Sequence, residues 1–432
     1  MRLFIDCTYT HSRGGNDGIQ RTVRNIVNRA RATGKAVGVA CQPVIWTGNK
    51  FVEIDQVAFA GRWARLRNLV ERFLRTLKPW IVVFKPLRIL YRSNFRKRVF
   101  RILRKHEGAL RKLLLCLRNP VHFSQDDILL LLDSTWDVPF WHAIRAAKLR
   151  GTRVGFVLYD IIPLVAPETC PQEHVAVFSR WLDEASRTCS FCITISQAVA
   201  EDYKRFAARK SAGDASHAAA FGSFRLGAEL DAATGQGKVR ASLQAMFAPP
   251  ARQRPYITVA KIEPRKNHAC LLEAFDRAWA ASASAKLCII GKPGWGSEAI
   301  LKRIRNHPLN GTSLFMFNDL SDQELSYCYE NAKAMIFPST HEGFGLPIIE
   351  ALHHGLPVFA SDIPAHREVG GEYCVYFDPA SADSLARLIL DNVNKGAFPP
   401  VKPLEGFRWP DWEESCRELI AITRLLAEAG PC

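Results

Sequence analysis

The chain has 432 residues, longer than one compact core and enough for two domains. Its 48% hydrophobic and 23% charged residues exclude a disordered, collagenous or low-complexity protein. The formal net charge of +16 is local: residues 61–118 hold eighteen Arg and Lys against Glu71 and Glu107, and the other 40 basic residues are matched by 40 acidic ones.

The chain begins "MRLFIDCTYTH", without the charged start and apolar core of a secretory signal. No apolar run approaches the roughly 18–20 residues that span a bilayer. A cytoplasmic location is therefore expected. The run "LFIDC" predicts a strand, and the loop after it, "THSRGGNDGIQRTVRNIV", places Gly14, Gly15 and Gly18 before a helix with Ile19, Val23, Ile26 and Val27 on one face. Glycines there let the backbone approach a ligand, and a helix N-terminus favours an anion. An ordinary turn reads equally well, and the spacing departs from the dinucleotide GxGxxG pattern. "VGVAC", residues 37–41, predicts the next strand.

In the basic segment 61–118, Leu66, Leu69, Val70, Phe73, Leu74 and Leu77 recur at three- and four-residue steps, with Arg62, Arg65, Arg72 and Arg75 largely between them. This is the pattern of an amphipathic basic helix. Pro79 and Pro86 break the stretch beyond it into short pieces, and Trp63, Trp80, Phe84, Tyr91, Phe95 and Phe100 are mixed with the arginines. An anionic membrane surface is the favoured partner, each basic residue near it contributing on the order of 1 kcal/mol. A helical cover over a core, and binding of RNA, are the alternatives.

"DILLLLD", "VGFVLYD" and "FCITIS" predict further strands of the first half. Asp160 ends the second of these, before the loop "IIPLVAPETCP"; it either meets a sugar hydroxyl or caps the next helix. The twelve cysteines are scattered, and the lone pair Cys189 and Cys192 reads as apolar filler. Residues 228–253, rich in small residues, glycine and proline, read as a linker. The expected organisation is a first domain over 1–235 carrying the insertion 61–118, a second over 236–408, and a helix in 409–432 packing across them.

The second half predicts strands at "YITVA", "KLCIIG", "SLFMF", "AMIFP", "PVFAS" and "CVYFD". Short apolar runs alternating with helical patterns predict two doubly wound α/β sheets facing each other across a cleft, with ligands at the carboxyl ends of the strands. After "YITVA" come Lys261, Arg265 and Lys266, cations that could stabilise a departing diphosphate beside a helix start. After "AMIFP" comes "HEGFGLPIIEAL". Pro347 suits a first helical turn, which leaves Glu342 before the helix and Glu350 one turn inside it. Gly343 and Gly345 keep the backbone between them bare. Two carboxylates gripping diols on either side of a diphosphate describe a nucleotide-sugar; a glycosidase acid and base pair is the other reading. His341, His353 and His354 are read as structural, and Glu368 as a donor contact or a cap.

The ordered set "EPRKN", "HEGFGLPIIEAL" and "SDIPAHREVGG" resembles the family-four retaining glycosyltransferases of the GT-B fold, over roughly residues 1–60 and 122–425. The resemblance implies that Glu350 binds ribose hydroxyls, that Glu342 contacts the transferred sugar, and that Gly343, Phe344, Gly345 and Leu346 meet sugar and phosphate. It assigns the diphosphate to Lys266 and Arg265, and matches Asp160 to an acidic position of the first domain, where Tyr159 replaces a frequent histidine. The implied catalytic set is Asp160, Lys266 and Glu342. With no DxD pattern at these motifs, metal-independent transfer without a cofactor is expected. The expected reaction moves a hexose, mannose being one candidate, from a nucleotide-sugar to a polyprenyl-diphosphate-linked or other glycan at the inner face of a bacterial membrane, with no nucleic-acid partner. A soluble acceptor, or a non-catalytic adaptor, is the alternative.

Overall fold

The computed structural model describes residues 1–15, 17–57, 115, 118–210, 220–228, 239–248, 253–281, 284–396 and 398–429. The amphipathic helix and membrane contact expected in 61–118 lie outside the described residues, apart from Leu115 and Arg118. Strands β1 (Arg2–Asp6), β2 (Ala40–Trp46), β3 (Phe51–Glu53), β4 (Ile128–Leu131), β5 (Arg153–Leu158), β6 (Phe191–Thr194) and β7 (Ala220–Ser223) form one sheet in the order β3-β2-β1-β4-β5-β6-β7. Strands β8 (Tyr256–Val259), β9 (Leu287–Ile290), β10 (Leu314–Phe317), β11 (Met335–Phe337), β12 (Val358–Ser361) and β13 (Cys374–Phe377) form a second in the order β10-β9-β8-β11-β12-β13. The chain divides into two compact units, Met1–Gly155 and Phe156–Cys432, at a boundary inside β5.

In the first unit β1 pairs in parallel with β2 and β4, placing Leu3 opposite both Cys41 and Ile128. Apart from Arg2, every residue of β1 and β4 is buried, which is why the two strands read as nearly unbroken apolar runs. The helix Gly18–Ala36 buries Val23, Ile26, Val27 and Ala30. The strand expected at 37–41 starts instead at Ala40. Val37 N–H still donates to Gly34 O at 3.1 Å, and Gly38 sits at φ 73°, so these residues terminate the helix. Two strands have no counterpart among the expected runs: β3, a three-residue antiparallel edge strand, and β7.

In the second unit all pairings of the second sheet are parallel, and each of its six strands lies within an expected run. Leu271, Leu272 and Phe275 of the helix His268–Ala281, with Leu385 and Ile389 of the helix Ala382–Lys395, bury against Tyr256, Leu287 and Phe359 of the sheet. Full burial of a Leu or Phe side chain contributes about 1.5–3 kcal/mol. Within the stretch read as a linker, Ala241–Phe247 is helical, and Arg240 before it reaches Glu324 at 2.6 Å and Asp319 at 3.2 Å. The helix Trp412–Glu428 opens with a reciprocal cap between Asp411 and Glu414. It packs on β7, where a Cβ on Gly222 would come 2.6 Å from Ile422. Among the described residues no helix is long and apolar enough to cross a membrane.

Candidate active site

The second sheet reverses its strand order between β8 and β11, so the loops after these two strands flank the switch point where doubly wound sheets hold ligands. The loop after β8 is a single 3-10 turn, Pro264–Lys266, closed by Asn267 at φ 54° and followed directly by a helix. Asn tolerates the left-handed conformation better than most residues. The loop after β11 carries His341–Gly345 into the helix Leu346–His353, with Gly345 at φ 111° as its N-cap and no side-chain cap. Only glycine takes that backbone without strain. The two loops are tied: Thr340 N–H donates to Arg265 O at 2.8 Å.

The tie brings three predicted residues into contact. Arg265 Nη1 donates to Glu342 Oε2 at 3.0 Å, and Lys266 Nζ donates to Glu342 Oε1. The side chains of Lys266 and Glu342 are 11% and 10% exposed, so this is a nearly dry charge cluster. Burial pushes the Glu342 carboxyl up, but Lys266 and Arg265 outweigh it and hold the pKa at about 2. Burial, reinforced by Arg265, lowers that of Lys266 against the pull of Glu342. Lys266 Nζ also lies 5.2 Å from the centre of the Phe337 ring. Glu263 approaches Arg265 Nε at 3.5 Å. Lys261 is exposed and belongs to the rim of this loop.

Asp160 lies in the loop after β5, and its Oδ1 accepts Ile162 N–H at 3.0 Å, a local turn before the helix Ile162–Val165, whose N-cap is Ile161 with no side-chain cap. Burial raises its pKa and Arg265 opposes the rise, so its carboxylate also feels the cluster. Backbone contact explains the proximity: a Cβ on Gly343 would sit 2.0 Å from Tyr159 O and 3.1 Å from Asp160 Cβ. Glu350 is buried one turn into the helix and accepts the Tyr329 hydroxyl at 2.8 Å. Phe344 is buried against Trp409, ring centres 6.0 Å apart, and Leu346 is half-buried.

Gly14, Gly15 and Gly18 lie in the first unit and have local roles. Gly14 ends the helix Thr8–Arg13 at φ 62°, Gly15 leaves room for the Gln20 amide, and Gly18 starts the next helix behind an Asp17–Gln20 capping box. The histidines divide as well. His354 stacks on Tyr329 at 5.5 Å, His353 is exposed, and His341 Nδ1 lies 3.1 Å from Thr340 Oγ1.

Four residues near the site were missed or set aside: Ser196, Tyr329, His366 and Glu368. His366 is buried, with Nδ1 3.0 Å from Ser361 O; burial lowers its pKa to about 4 although Glu342 pulls the other way. Glu368 caps: its carboxylate accepts Gln197 and Ala198 N–H, each at 2.8 Å. Ser196, Tyr329 and Glu368 meet partners far along the chain, at Gly343, Glu350 and Gln197–Ala198, whereas His366 bonds Ser361 five residues before it. Among the described residues no group of three or more His, Cys, Asp or Glu could hold a metal ion. Cys189 and Cys192 are buried thiols, neither in a disulfide.

Residues 242–398, which carry both loops, match the model of the family described as glycosyl transferases group 1. Over that segment the chain resembles the family. It is 33% identical over 317 residues to the serotype-specific mannosyltransferase WbdA of Escherichia coli, a match covering 72% of this chain and 38% of that protein. It is 27% identical over 172 residues to O-antigen chain mannosyltransferase B of Escherichia coli, covering 39% of this chain and 45% of the relative. The chain thus spans well under two thirds of these curated relatives. Among solved structures, alpha,alpha-trehalose 6-phosphate synthase of Burkholderia multivorans aligns with a TM-score of 0.56 at 15% identity over 99% of this chain and 97% of that one. HepE of Anabaena in complex with UDP aligns with a TM-score of 0.52 at 14% identity over 99% and 97%. These group 1 glycosyl transferase features sit on the GT-B fold, with its two mainly parallel sheets.

Proposed function

We propose that the protein is a retaining hexosyltransferase that moves mannose from a nucleotide-sugar to a lipid-linked glycan in bacterial surface polysaccharide synthesis. The observation that carries this reading is the buried cluster of Arg265, Lys266 and Glu342 at the switch point of the second sheet, beside a helix N-terminus. The mannosyltransferase relatives support the sugar, and the UDP held by HepE supports a nucleoside diphosphate as the leaving group.

In this reaction the bond from the anomeric carbon to the diphosphate oxygen breaks, and an acceptor hydroxyl attacks on the same face. Arg265, Lys266 and the backbone of Gly343, Phe344, Gly345 and Leu346 stabilise the charge that grows on the leaving diphosphate. Glu342 orients the transferred sugar, Glu350 grips the ribose, and Asp160 meets a sugar or acceptor hydroxyl. Fixed cations supply the charge stabilisation, so neither metal nor cofactor takes part. The basic composition of 61–118 assigns that segment to the inner membrane surface, where a polyprenyl-linked acceptor resides.

The test is release of nucleoside diphosphate from GDP-, UDP- and TDP-sugars with polyprenyl-diphosphate-linked or free mannosides as acceptors. Turnover of one donor, faster on the lipid-linked acceptor and yielding an α-linked product by NMR, is expected. Wild-type protein that turns over none of these donors would refute the transferase.

A further inference from the structure

Ser196 is 2% exposed at the end of β6, far in sequence from the Glu342 loop, yet its Oγ donates to Gly343 O at 2.6 Å. The same oxygen accepts Val199 N–H at 3.1 Å. A hydroxyl has one proton, so with Val199 occupying an acceptor position that proton is committed to the Gly343 carbonyl. Gln197 and Ala198 N–H, at the start of the helix Gln197–Lys210, go to the two oxygens of Glu368. A carboxylate on a helix N-terminus is a charge-assisted cap, and here it is supplied from the helix Pro364–Gly370 rather than from the capped helix itself.

Gly343 is therefore held on two sides. Its α-carbon faces Tyr159 O with no room for a side chain, and its carbonyl is bound by Ser196. The neighbouring residue is Glu342, whose two oxygens are divided between Arg265 and Lys266. Freeing the Gly343 carbonyl would leave a buried acceptor without its donor and let Glu342 and Asp160 shift against each other. The Arg265 and Lys266 loop is tied to the same segment at Thr340, three residues before Gly343, through Thr340 N–H on Arg265 O at 2.8 Å.

We propose that Ser196 is a positioning residue for Glu342, and that Glu368 sets Ser196 by capping the helix it precedes. This rests on the transferase reading and adds to it a chain of contacts from "SDIPAHREVGG" through "ITIS" to the donor loop.

The experiment compares full-length wild type, Ser196→Ala, Glu368→Gln and the double variant for kcat, for binding of GDP and UDP, and for melting temperature. Ser196→Ala lowers kcat about tenfold or more and weakens binding of the nucleoside diphosphate by a clearly smaller factor, because orientation of Glu342 is lost while the side chains of Arg265 and Lys266 remain to bind. Glu368→Gln lowers kcat less, and the double variant is no worse than Ser196→Ala, as expected of groups acting through one loop. Wild-type kcat in Ser196→Ala, or a kcat loss that only follows equal losses of binding and melting temperature, overturns the proposal. Should Ser196→Ala not fold, Glu368→Gln decides in the same way. A wild type that binds neither nucleotide fails before any variant is compared, and overturns the transferase reading together with this inference.

Discussion

Replacing Glu342 by Gln removes one charge from the centre of the cluster while keeping the side chain's shape. A carboxyl held at about 2 instead of 4.5 favours folding wherever it is ionised. The contribution is roughly 3 kcal/mol, fully present above pH 4.5 and lost as pH falls through 4.5 towards about 2. The variant also leaves Lys266 and Arg265 facing a neutral amide in a nearly dry site, and breaking a buried pair from one side costs about 3–5 kcal/mol. Lys266 can shed its proton, since burial already lowers its pKa, so the lower end of that range applies. In thermal unfolding at pH 7, at about 2–4 °C per kcal/mol, Glu342→Gln is expected to melt about 6–12 °C below wild type. The gap narrows below pH 4.5 and closes only towards about pH 2. A cycle with Lys266→Met should show a coupling of about 1–3 kcal/mol. A variant that melts within about 2 °C of wild type at pH 7, with the same pH dependence, would refute the electrostatic account.

Other outcomes rest on single contacts. Asp6 is fully buried at the end of β1, and burial, aided by Asp133, raises its pKa to about 8 from 3.8. A raised carboxyl favours folding only while protonated, so stability falls as pH rises from about 4 to 8, by roughly 6 kcal/mol in total. Asp6→Asn should flatten that slope in urea unfolding at pH 5 and pH 9, and an unchanged slope would count against it. Gly343→Ala forces a Cβ to within 2.0 Å of Tyr159 O and should abolish donor turnover while lowering the melting temperature; full activity would show that the loop is freer than the packing implies. Tyr329→Phe removes a buried donor from Glu350, costing about 1–3 kcal/mol. If Glu350 grips ribose, KM for the donor rises; an unchanged KM would detach Glu350 from the nucleotide.

The second sheet was legible in the sequence because each of its strands is a short apolar run bounded by loop residues. β3 and β7 were not, being short strands at the edges of the first sheet with no such contrast. β2 was misplaced because "VGVAC" begins with Val37 and Gly38, which close the preceding helix, and propensity alone does not separate a helix stop from a strand start. Within the site, Arg265, Lys266, Glu342 and Glu350 were legible because punctuation by Pro264, Gly343, Gly345 and Pro347 placed them at strand ends and helix starts. Ser196, Tyr329 and His366 were not. Ser196 meets Gly343 across 147 residues and Glu368 meets Gln197 across 171, pairings that local periodicity does not encode. Asp160 remained divided between two readings for the same reason: its bond to Ile162 N–H is local, while its approach to Arg265 depends on the packing of Gly343 against Tyr159.

The most direct test of the donor site is calorimetric binding of GDP, UDP and their monophosphates to wild type and to Lys266→Met. The account predicts that wild type binds one diphosphate at least about tenfold more tightly than its monophosphate, and that Lys266→Met removes this preference. Equal binding of diphosphate and monophosphate by both proteins would contradict it.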